Sequence, residues 1–260
     1  MDGRPIMTLS SDSPQRSTCT AILPFHNERD RILPVLAAVY DVDLVSRIIC
    51  VDDGSTDGAS AQVIATFPDV TLLCLPDNQG KAAAVAAGLE MVETSHVLLV
   101  DADLRDLRAS DLTRALDMIL HDTNLDMVLL RRMSAGLHAR LLRGDLLFTG
   151  ERVLKTADLR AVLAGQPTGY QLEIAVNAYM IDHGRTVRWA PSSARNILKI
   201  EKQHSIHGLM ADMWMARSML SHSGVRGYAY QYLFFAHKRG LSAADTRAQS
   251  AALRQRTLLS

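Results

Sequence analysis

Cysteine is scarce in this chain, and long apolar runs are absent from it. The three cysteines, Cys19, Cys50 and Cys74, lie in separate apolar segments. An odd number without paired spacing excludes a disulfide framework and a cysteine zinc site, and it predicts buried thiols in a reducing compartment. No apolar run approaches the roughly 18 residues that span a bilayer. Residues 1–17 lack the apolar core of a secretory signal, so we expect a cytoplasmic protein, with peripheral membrane contact still allowed.

An excess of charge of either sign is also missing, because 28 Lys and Arg residues balance 28 Asp and Glu residues. This balance argues against a protein that binds nucleic acid through a basic surface. The sequence contains neither a Walker P-loop nor the glycine fingerprint of a dinucleotide-binding fold, which speaks against P-loop kinases and nicotinamide oxidoreductases. The content of 48% hydrophobic and 22% charged residues is ordinary for a globular chain with a sizeable core.

The first half of the chain alternates apolar strand-like runs with segments of helical periodicity. The predicted strands cover residues 18–24, 47–51, 70–75 and 95–100. Helices between nearly continuous apolar strands are typical of βαβ units, whose parallel strands are buried on both faces. We therefore predict an α/β protein with a mostly parallel central sheet flanked by helices. Residues 18–130 and 131–240 would form two halves of one domain, between a loose extension at 1–17 and a polar tail at 241–260.

Polar residues follow the four predicted strands, at the points where the strands end. They are His26, Asn27 and Glu28, then Asp52 and Asp53, then residues 78–81, and finally Asp101 and Asp103. In open α/β sheets ligands bind beyond the carboxyl ends of the strands, so these groups should meet at one rim. Asp101 and Asp103 would point to the same side of an extended chain. Two buried carboxylates need a cation, and Mg²⁺ held by one or two carboxylates and by substrate phosphates fits this pattern.

Each of these features also has a purely structural interpretation. A strand that runs into a capped helix would explain Asp103 without a metal. The motif at residues 52–58 could be a strand-to-helix turn in which Asp53 or Ser55 caps the helix. Lys81 could be a surface lysine, although a lysine at a helix N-terminus suits an anion. Glu173 could be a solvated charge on a helix surface.

The second half of the sequence is less regular. Residues 131–160 form an irregular, basic stretch that would suit a phosphate-bearing acceptor, because the guanidinium fork matches phosphate. The arginines concerned are Arg131, Arg132, Arg140 and Arg143. A helix is predicted over residues 169–183 and a strand over 185–190. The methionine-rich stretch 201–224 is compatible with core, with a homodimer surface or with a membrane contact.

Five short motifs, taken together, resemble those of the family-2 glycosyltransferases, which have the GT-A fold. The motifs are residues 23–28, 51–58, 78–82, Gly88 and residues 101–104. The resemblance implies that residues 18–130 bind a nucleotide-sugar donor, a UDP- or GDP-sugar, and that the cofactor is Mg²⁺ or Mn²⁺. It also implies that Asp101 and Asp103 are a DXD-type metal pair, with Asp103 the more direct ligand and a catalytic residue.

The resemblance implies further roles for the donor side. Asn27 and Glu28 would line the nucleotide pocket, Asp53 would hydrogen-bond the base, and Gly80 and Lys81 would approach the donor phosphates. The remaining implied donor-binding residues are Pro24, Asp101 and Ala102.

Two segments of the second half, residues 149–152 and 169–173, are similar to polyprenyl-phosphate sugar transferases and glucosyl-3-phosphoglycerate synthases. The similarity implies that Glu173 faces the transferred sugar as a catalytic residue and that His204 helps to hold the metal. Together with the basic stretch, it places five residues on the acceptor side. They are Arg131, Arg143, Thr149, Gly150 and Tyr170.

The expected function is metal-dependent transfer of a sugar from a nucleotide-diphosphate sugar to a phosphate-bearing acceptor, either a polyprenyl phosphate or a small phosphorylated metabolite. Inverting and retaining chemistry both stay open, since no general base is identifiable. One alternative is a sugar nucleotidyltransferase, although the glycine-rich signature of that class is absent after the first strand. The other is a non-catalytic nucleotide-sugar-binding protein, which would keep the donor pocket without turnover.

Overall fold

The structure is a computed structural model, and it describes residues 19–134, 144–165, 171–196 and 235–236. The predictions for Arg143, Tyr170 and His204 concern residues outside these ranges. The same holds for the methionine-rich stretch and for both terminal segments. The fold and the site below are therefore built from the described residues alone.

Seven strands of the described chain form one sheet. They are β1 (Cys19–Phe25), β2 (Val45–Asp52), β3 (Thr71–Cys74), β4 (His96–Leu99), β6 (Met127–Arg132), β7 (Arg152–Lys155) and β8 (Val187–Ser192). Two short strands, β5 (Leu104–Arg105) and β9 (Arg195–Asn196), pair antiparallel in a second sheet. The order in the large sheet is β3-β2-β1-β4-β7-β6-β8. Only β7, of these seven strands, runs antiparallel to its neighbours, so the predicted mostly parallel sheet is confirmed.

Seven helices connect the described strands. They are α1 (Ile32–Tyr40), α2 (Ala59–Thr66), α3 (Lys81–Leu89), α4 (Ala109–His121), α5 (Gly144–Leu147), α6 (Thr156–Leu163) and α7 (Gln171–Asp182). One face of the sheet packs against α1, α2 and α4, and the other packs against α3, α5, α6 and α7. The neighbouring residues Ile22 and Leu23 show why both faces are covered. Each is fully buried, one in each of the two cores, because successive side chains of a strand point to opposite faces.

The stretch 131–160, predicted to be irregular, instead includes several regular elements in the part of the chain that the structure describes. It contains the end of β6, helix α5, all of β7 and the start of α6. The sequence pattern of a strand is hidden in β7 because this strand is only four residues long and begins and ends with the charged residues Arg152 and Lys155. Both charges are accommodated by polar partners, Arg152 by hydrogen bonds and Lys155 by an ion pair with Asp126 at 2.7 Å.

Gly88 lets helix α3 lie close against the sheet. A Cβ atom at this position would lie 2.9 Å from Cγ2 of Val51 and 3.0 Å from Cγ2 of Ile22. We expect Gly88→Ala to lower the free energy of unfolding by about 1–3 kcal/mol, because overpacking moves the helix or distorts side chains. Urea unfolding measures this change. In an unhindered helix the same substitution stabilises by about 1 kcal/mol, so a more stable variant would contradict the close contact.

Candidate active site

The loops after β1, β2, β3 and β4 meet at one rim of the large sheet, because these strands are neighbours that run in the same direction. The amino end of β7 joins them, since this strand runs antiparallel and Arg152 pairs with Leu99 at the end of β4. Pro24 lies in β1 opposite Val51, and Ala102 is buried in the segment that follows β4. The four polar segments singled out in the sequence are therefore neighbours in the fold.

Two of the three acids at the end of β2 and after it, Asp52 and Asp57, bind the backbone and side chains of the turn that follows. Asp52 accepts hydrogen bonds from the backbone of Ser55 at 2.7 Å and from the hydroxyl of Ser60. Asp57 accepts the backbone N–H of Ala59 at 3.0 Å. These two carboxylates shape the turn into α2, whose N-cap residue is Gly58 with no side-chain cap, so neither Asp53 nor Ser55 caps this helix.

Asp53 instead anchors the loop between β3 and α3 by hydrogen bonds. Its two carboxylate oxygens accept the backbone N–H groups of Gln79 and Gly80, at 2.8 and 2.7 Å. Gly54 lies against the same loop with φ of +72°, and a Cβ atom there would come within 2.7 Å of the nitrogen of Asn78. Asp53 and Gly54 thus hold the loop that leads to α3, while contact of Asp53 with a base stays a prediction.

The loop after β1 is fastened to the same turn. His26 donates from Nδ1 to the carbonyl of Asp53 at 2.7 Å. Asn27, which has a positive φ of 55°, accepts the N–H of Thr56 at 2.9 Å and donates its own N–H to Ser55 at 2.9 Å. Asparagine tolerates this left-handed conformation better than most residues, so the loop is held in one shape by its side chain.

Lys81 is the centre of the rim. It begins helix α3, and its Nζ contacts Oδ1 of Asp101, after β4, and Oε1 of Glu173, on α7, the latter at 2.6 Å. Burial opposes the charge of Lys81, but the two carboxylates outweigh this effect and raise its pKa. Three residues that are far apart in the chain are therefore joined in one charged cluster.

Gly150 allows Asp101 to occupy this position. A Cβ atom on Gly150 would lie 2.1 Å from Oδ2 and 2.4 Å from Oδ1 of Asp101. Thr149, beside it, is fully buried and bonds the carbonyl of Leu130 at 2.9 Å and Oε2 of Glu151 at 2.5 Å. A hydroxyl donates one proton only. The Thr149 hydroxyl can therefore donate to only one of these two acceptors. Burial raises the pKa of Glu151 against the opposing charge of Arg132.

Asp103 is the acid of the rim that suits a metal ion. Burial and the nearby charge of Asp101 raise its pKa, against the opposing effect of Lys81 and Arg132. Within residues 19–134, 144–165 and 171–196, no hydrogen bond or ion pair holds its carboxylate. A partly buried acid without a partner fits a divalent cation, which would take Asp103 and Asp101 as ligands and oxygen atoms of a substrate for the rest. The described residues alone form no cluster of three or more metal ligands.

The two arginines at the end of β6 have different surroundings. Arg131 donates from Nε to Asp145 at 2.5 Å, and its guanidinium lies 5.1 Å from the ring centre of Trp189. The Nε atom of Arg132 lies 3.7 Å from Oε2 of Glu151, and the positive charge of Arg132 opposes the rise in the pKa of Asp103. The charge of Arg132 therefore reaches the acids of the rim, and the acceptor-side role expected for Arg131 stays a prediction.

A polar cavity of about 500 Å³ opens between the loop after β1 and strand β5. Its lining includes Asn27, Arg29, Arg31, Asp57 and Arg105. This volume lies within the range of small-molecule sites, and the cavity adjoins the segment that carries Asp103.

The side chain of Glu28 should make the stability of the protein depend on pH. Burial raises the pKa of Glu28 to about 7 from an ordinary 4.5, with Arg31 opposing the shift and Asp103 adding to it. The stabilisation that a raised pKa provides is complete below pH 4.5 and is lost as the pH rises through about 7. We therefore expect Glu28→Gln to lose less stability than the wild type between pH 4.5 and 7.5, as measured by urea unfolding. Parallel pH profiles of the two proteins would contradict the assignment.

The sequence matches the model of a known protein family. The model of the family described as Glycosyl transferase family 2 matches residues 20–171, more than half of the chain. A dolichyl-phosphate beta-glucosyltransferase of Trichomonas vaginalis is 35% identical over 104 residues, which cover 35% of this chain and 31% of that protein. An uncharacterized glycosyltransferase of Synechocystis sp. is 32% identical over 92 residues, 33% of this chain and 29% of that protein. The chain thus spans about a third of the length of the curated relatives it matches.

Solved structures share the fold. Glucosyl-3-phosphoglycerate synthase from Mycobacterium tuberculosis, in complex with Mn²⁺, UDP-glucose and phosphoglyceric acid, has a TM-score of 0.62 at 20% identity. That comparison covers 82% of this chain and 80% of the synthase. A complex of the same synthase with Mn²⁺, UDP and phosphoglyceric acid has a TM-score of 0.61 at 19% identity, covering 83% and 78%.

Proposed function

Because this chain belongs to glycosyl transferase family 2 and has the GT-A type α/β fold, we propose that it transfers a sugar from a nucleotide-diphosphate sugar to a phosphate-bearing acceptor. The observation that carries the proposal is the charged cluster at the rim. Lys81, Asp101 and Glu173 are in contact there, and Asp103 lies beside them without a partner in the described chain. Cationic and acidic groups at the carboxyl ends of parallel strands suit a phosphorylated ligand.

The donor would bind where Lys81 and the first turn of α3 face the rim. The backbone N–H groups of a helix N-terminus and a lysine charge both favour a diphosphate. Asp101 and Asp103 would hold Mg²⁺ or Mn²⁺, and such an ion would neutralise the leaving nucleotide diphosphate. The cavity beside Asn27 offers room for the nucleoside. Complexes of the structurally similar synthase with Mn²⁺ and UDP-glucose support a UDP-sugar as the first donor to test.

Glu173 would face the transferred sugar. Its carboxylate is buried, and one oxygen binds Lys81 at 2.6 Å while Oε2 lacks a hydrogen-bond partner in the described chain. A buried acceptor oxygen without a partner is costly. A sugar hydroxyl that donates to Oε2 would remove this cost.

The acceptor would carry phosphate. Arg132 lies on the side of the acids and offers a guanidinium to a phosphate group. A phosphate group also features in the name of the dolichyl-phosphate enzyme and in the phosphoglyceric acid bound to the synthase. No helix in the described part of the chain has the length and apolar character needed to cross a membrane.

Turnover tests this proposal. The purified protein is incubated with Mn²⁺ and either UDP-glucose or GDP-mannose, and with phosphoglyceric acid, a short polyprenyl phosphate or unphosphorylated glycerol. We expect release of nucleoside diphosphate and a glycosylated product with one donor and a phosphorylated acceptor, measured by mass spectrometry. Binding of a donor without product from any acceptor would favour the non-catalytic alternative. Formation of a nucleotide-sugar from a sugar phosphate and a nucleoside triphosphate would favour the nucleotidyltransferase.

A further inference from the structure

Arg152, the first residue of β7, lies inside the protein with 1% of its surface exposed. Its guanidinium donates hydrogen bonds to the backbone carbonyl of Thr149 and, at 3.2 Å, to Oδ1 of Asn177. Asn177 is also fully buried, and its Nδ2 donates to the carbonyl of Leu147 at 2.9 Å. These bonds fasten helix α7 to the segment that leads into β7.

The charge of Arg152 lacks a directly bonded counter-ion in the described chain. Both of its hydrogen-bond acceptors, on Thr149 and Asn177, are neutral oxygens. A buried charge of this kind is costly unless other charges compensate it. Burial lowers the pKa of Arg152, and the carboxylates of Glu173 and Asp101 act against this shift. The guanidinium thus interacts electrostatically with the carboxylates of Asp101 and Glu173 without forming a hydrogen bond to either.

The fold explains why Arg152 and Asn177 lie near these two acids. Arg152 pairs with Leu99, two residues before Asp101. Asn177 follows Glu173 by one helical turn on α7, and residues four apart lie on the same side of a helix. The pair of Arg152 and Asn177 therefore connects the two elements that carry Asp101 and Glu173.

We propose that Arg152, held by Asn177, is a positioning residue that supplies a fixed positive charge to the site and thereby favours binding of the donor diphosphate. This inference rests on the proposed function, because the diphosphate is the anion concerned. The carboxylates of Asp101, Asp103 and Glu173 repel a diphosphate, and the charge of Arg152 adds to those of Lys81 and Arg132 in offsetting this repulsion. The same positive charge on Arg152 weakens binding of a metal cation, because a fixed charge attracts an anionic ligand and repels a cationic one.

Two variants separate the charge of Arg152 from its packing. Arg152→Met removes the charge and keeps much of the side-chain volume. Asn177→Asp keeps the shape of residue 177 and gives Arg152 a carboxylate in direct contact. Each should weaken binding of UDP, measured by calorimetry without metal, by about tenfold, and tighten binding of Mn²⁺, measured by electron paramagnetic resonance without nucleotide, by about tenfold.

Two further variants serve as references. Arg152→Lys keeps the charge and should retain both affinities. Lys155→Met removes a charge from the other end of the same strand, where Lys155 pairs with Asp126 at 2.7 Å, and should change neither affinity. Thermal unfolding of every variant shows that the protein compared is folded.

Opposite changes in the two affinities would support the role of Arg152. Affinities that fall together, as damage to the fold would cause, or that do not change, would overturn it. Loss of folding in both Arg152→Met and Asn177→Asp would also overturn it, because the pair would then serve the fold alone. Wild-type protein that binds neither UDP nor Mn²⁺ would contradict the proposed function itself, which the other outcomes leave intact.

Discussion

Replacement of Asp103 by asparagine should lower the affinity for Mn²⁺ by about 100-fold or more, since even residues that only support a metal ligand typically contribute 10- to 100-fold. The amide keeps the size of the side chain and removes the charge that a cation would neutralise. Asp103 has a raised pKa because it is buried beside Asp101. The asparagine variant should therefore be at least as stable as the wild type in the absence of metal, as is common where a functional group is held at a cost to the fold.

Electron paramagnetic resonance of Mn²⁺ and urea unfolding without metal measure these two effects. Asp106→Asn is the matched control, because Asp106 is an exposed acid three residues further on that pairs with Arg195 at 3.3 Å. We expect this control to retain the affinity for Mn²⁺. Equal affinities in the Asp103 variant and the wild type would show that this carboxylate is not a metal ligand.

Gly150→Ala should reduce the rate of sugar transfer by about 100-fold, since a displacement of about 1 Å at a reacting centre can have an effect of that size. The methyl group would occupy the place of the Asp101 carboxylate, whose Oδ2 lies 2.1 Å from the position of the new Cβ. Asp101 would have to move away from Lys81, and the charged cluster at the rim would be broken. Single-turnover measurements with the donor identified by binding report this loss.

The control for Gly150→Ala is Gly165→Ala. Among the described residues, a Cβ atom on Gly165 would meet only the carbonyl of Val162, at 3.3 Å, so this variant should keep the wild-type rate. Both variants are compared by circular dichroism to show that they fold. A Gly150→Ala protein with wild-type kinetics would mean that Asp101 need not lie where the structure places it.

Much of the fold follows from the sequence because the strands of the first half are apolar throughout and alternate with helical periodicity. That pattern predicts parallel strands buried on both faces, and the order β3-β2-β1-β4 then brings their polar ends to one rim. The contact of Lys81 with Asp101 agrees with this reasoning, because both residues follow strands that end there. The family resemblance adds Glu173, which strand patterns alone cannot relate to Lys81.

The antiparallel strand β7 and the polar groups around it could not be predicted in the same way. Arginine is rarely buried without a paired acid, so residue type alone indicates a surface position for Arg152, which the fold buries completely. The electrostatic effect of Arg132 on Asp103 depends on how its side chain turns at the end of β6, which residue type alone does not determine. The carboxylate of Asp53 also anchors the loop before α3, a role that residue type alone does not indicate, and its contact with a base stays a prediction.

The most direct test of the proposed donor site is calorimetry of the purified protein with UDP-glucose and with GDP-mannose, each with and without Mn²⁺. We predict that one of the two donors binds, and that Mn²⁺ strengthens this binding through Asp101 and Asp103. Failure of both donors to bind under either condition would contradict a nucleotide-sugar site at the rim formed by β1, β2 and β4.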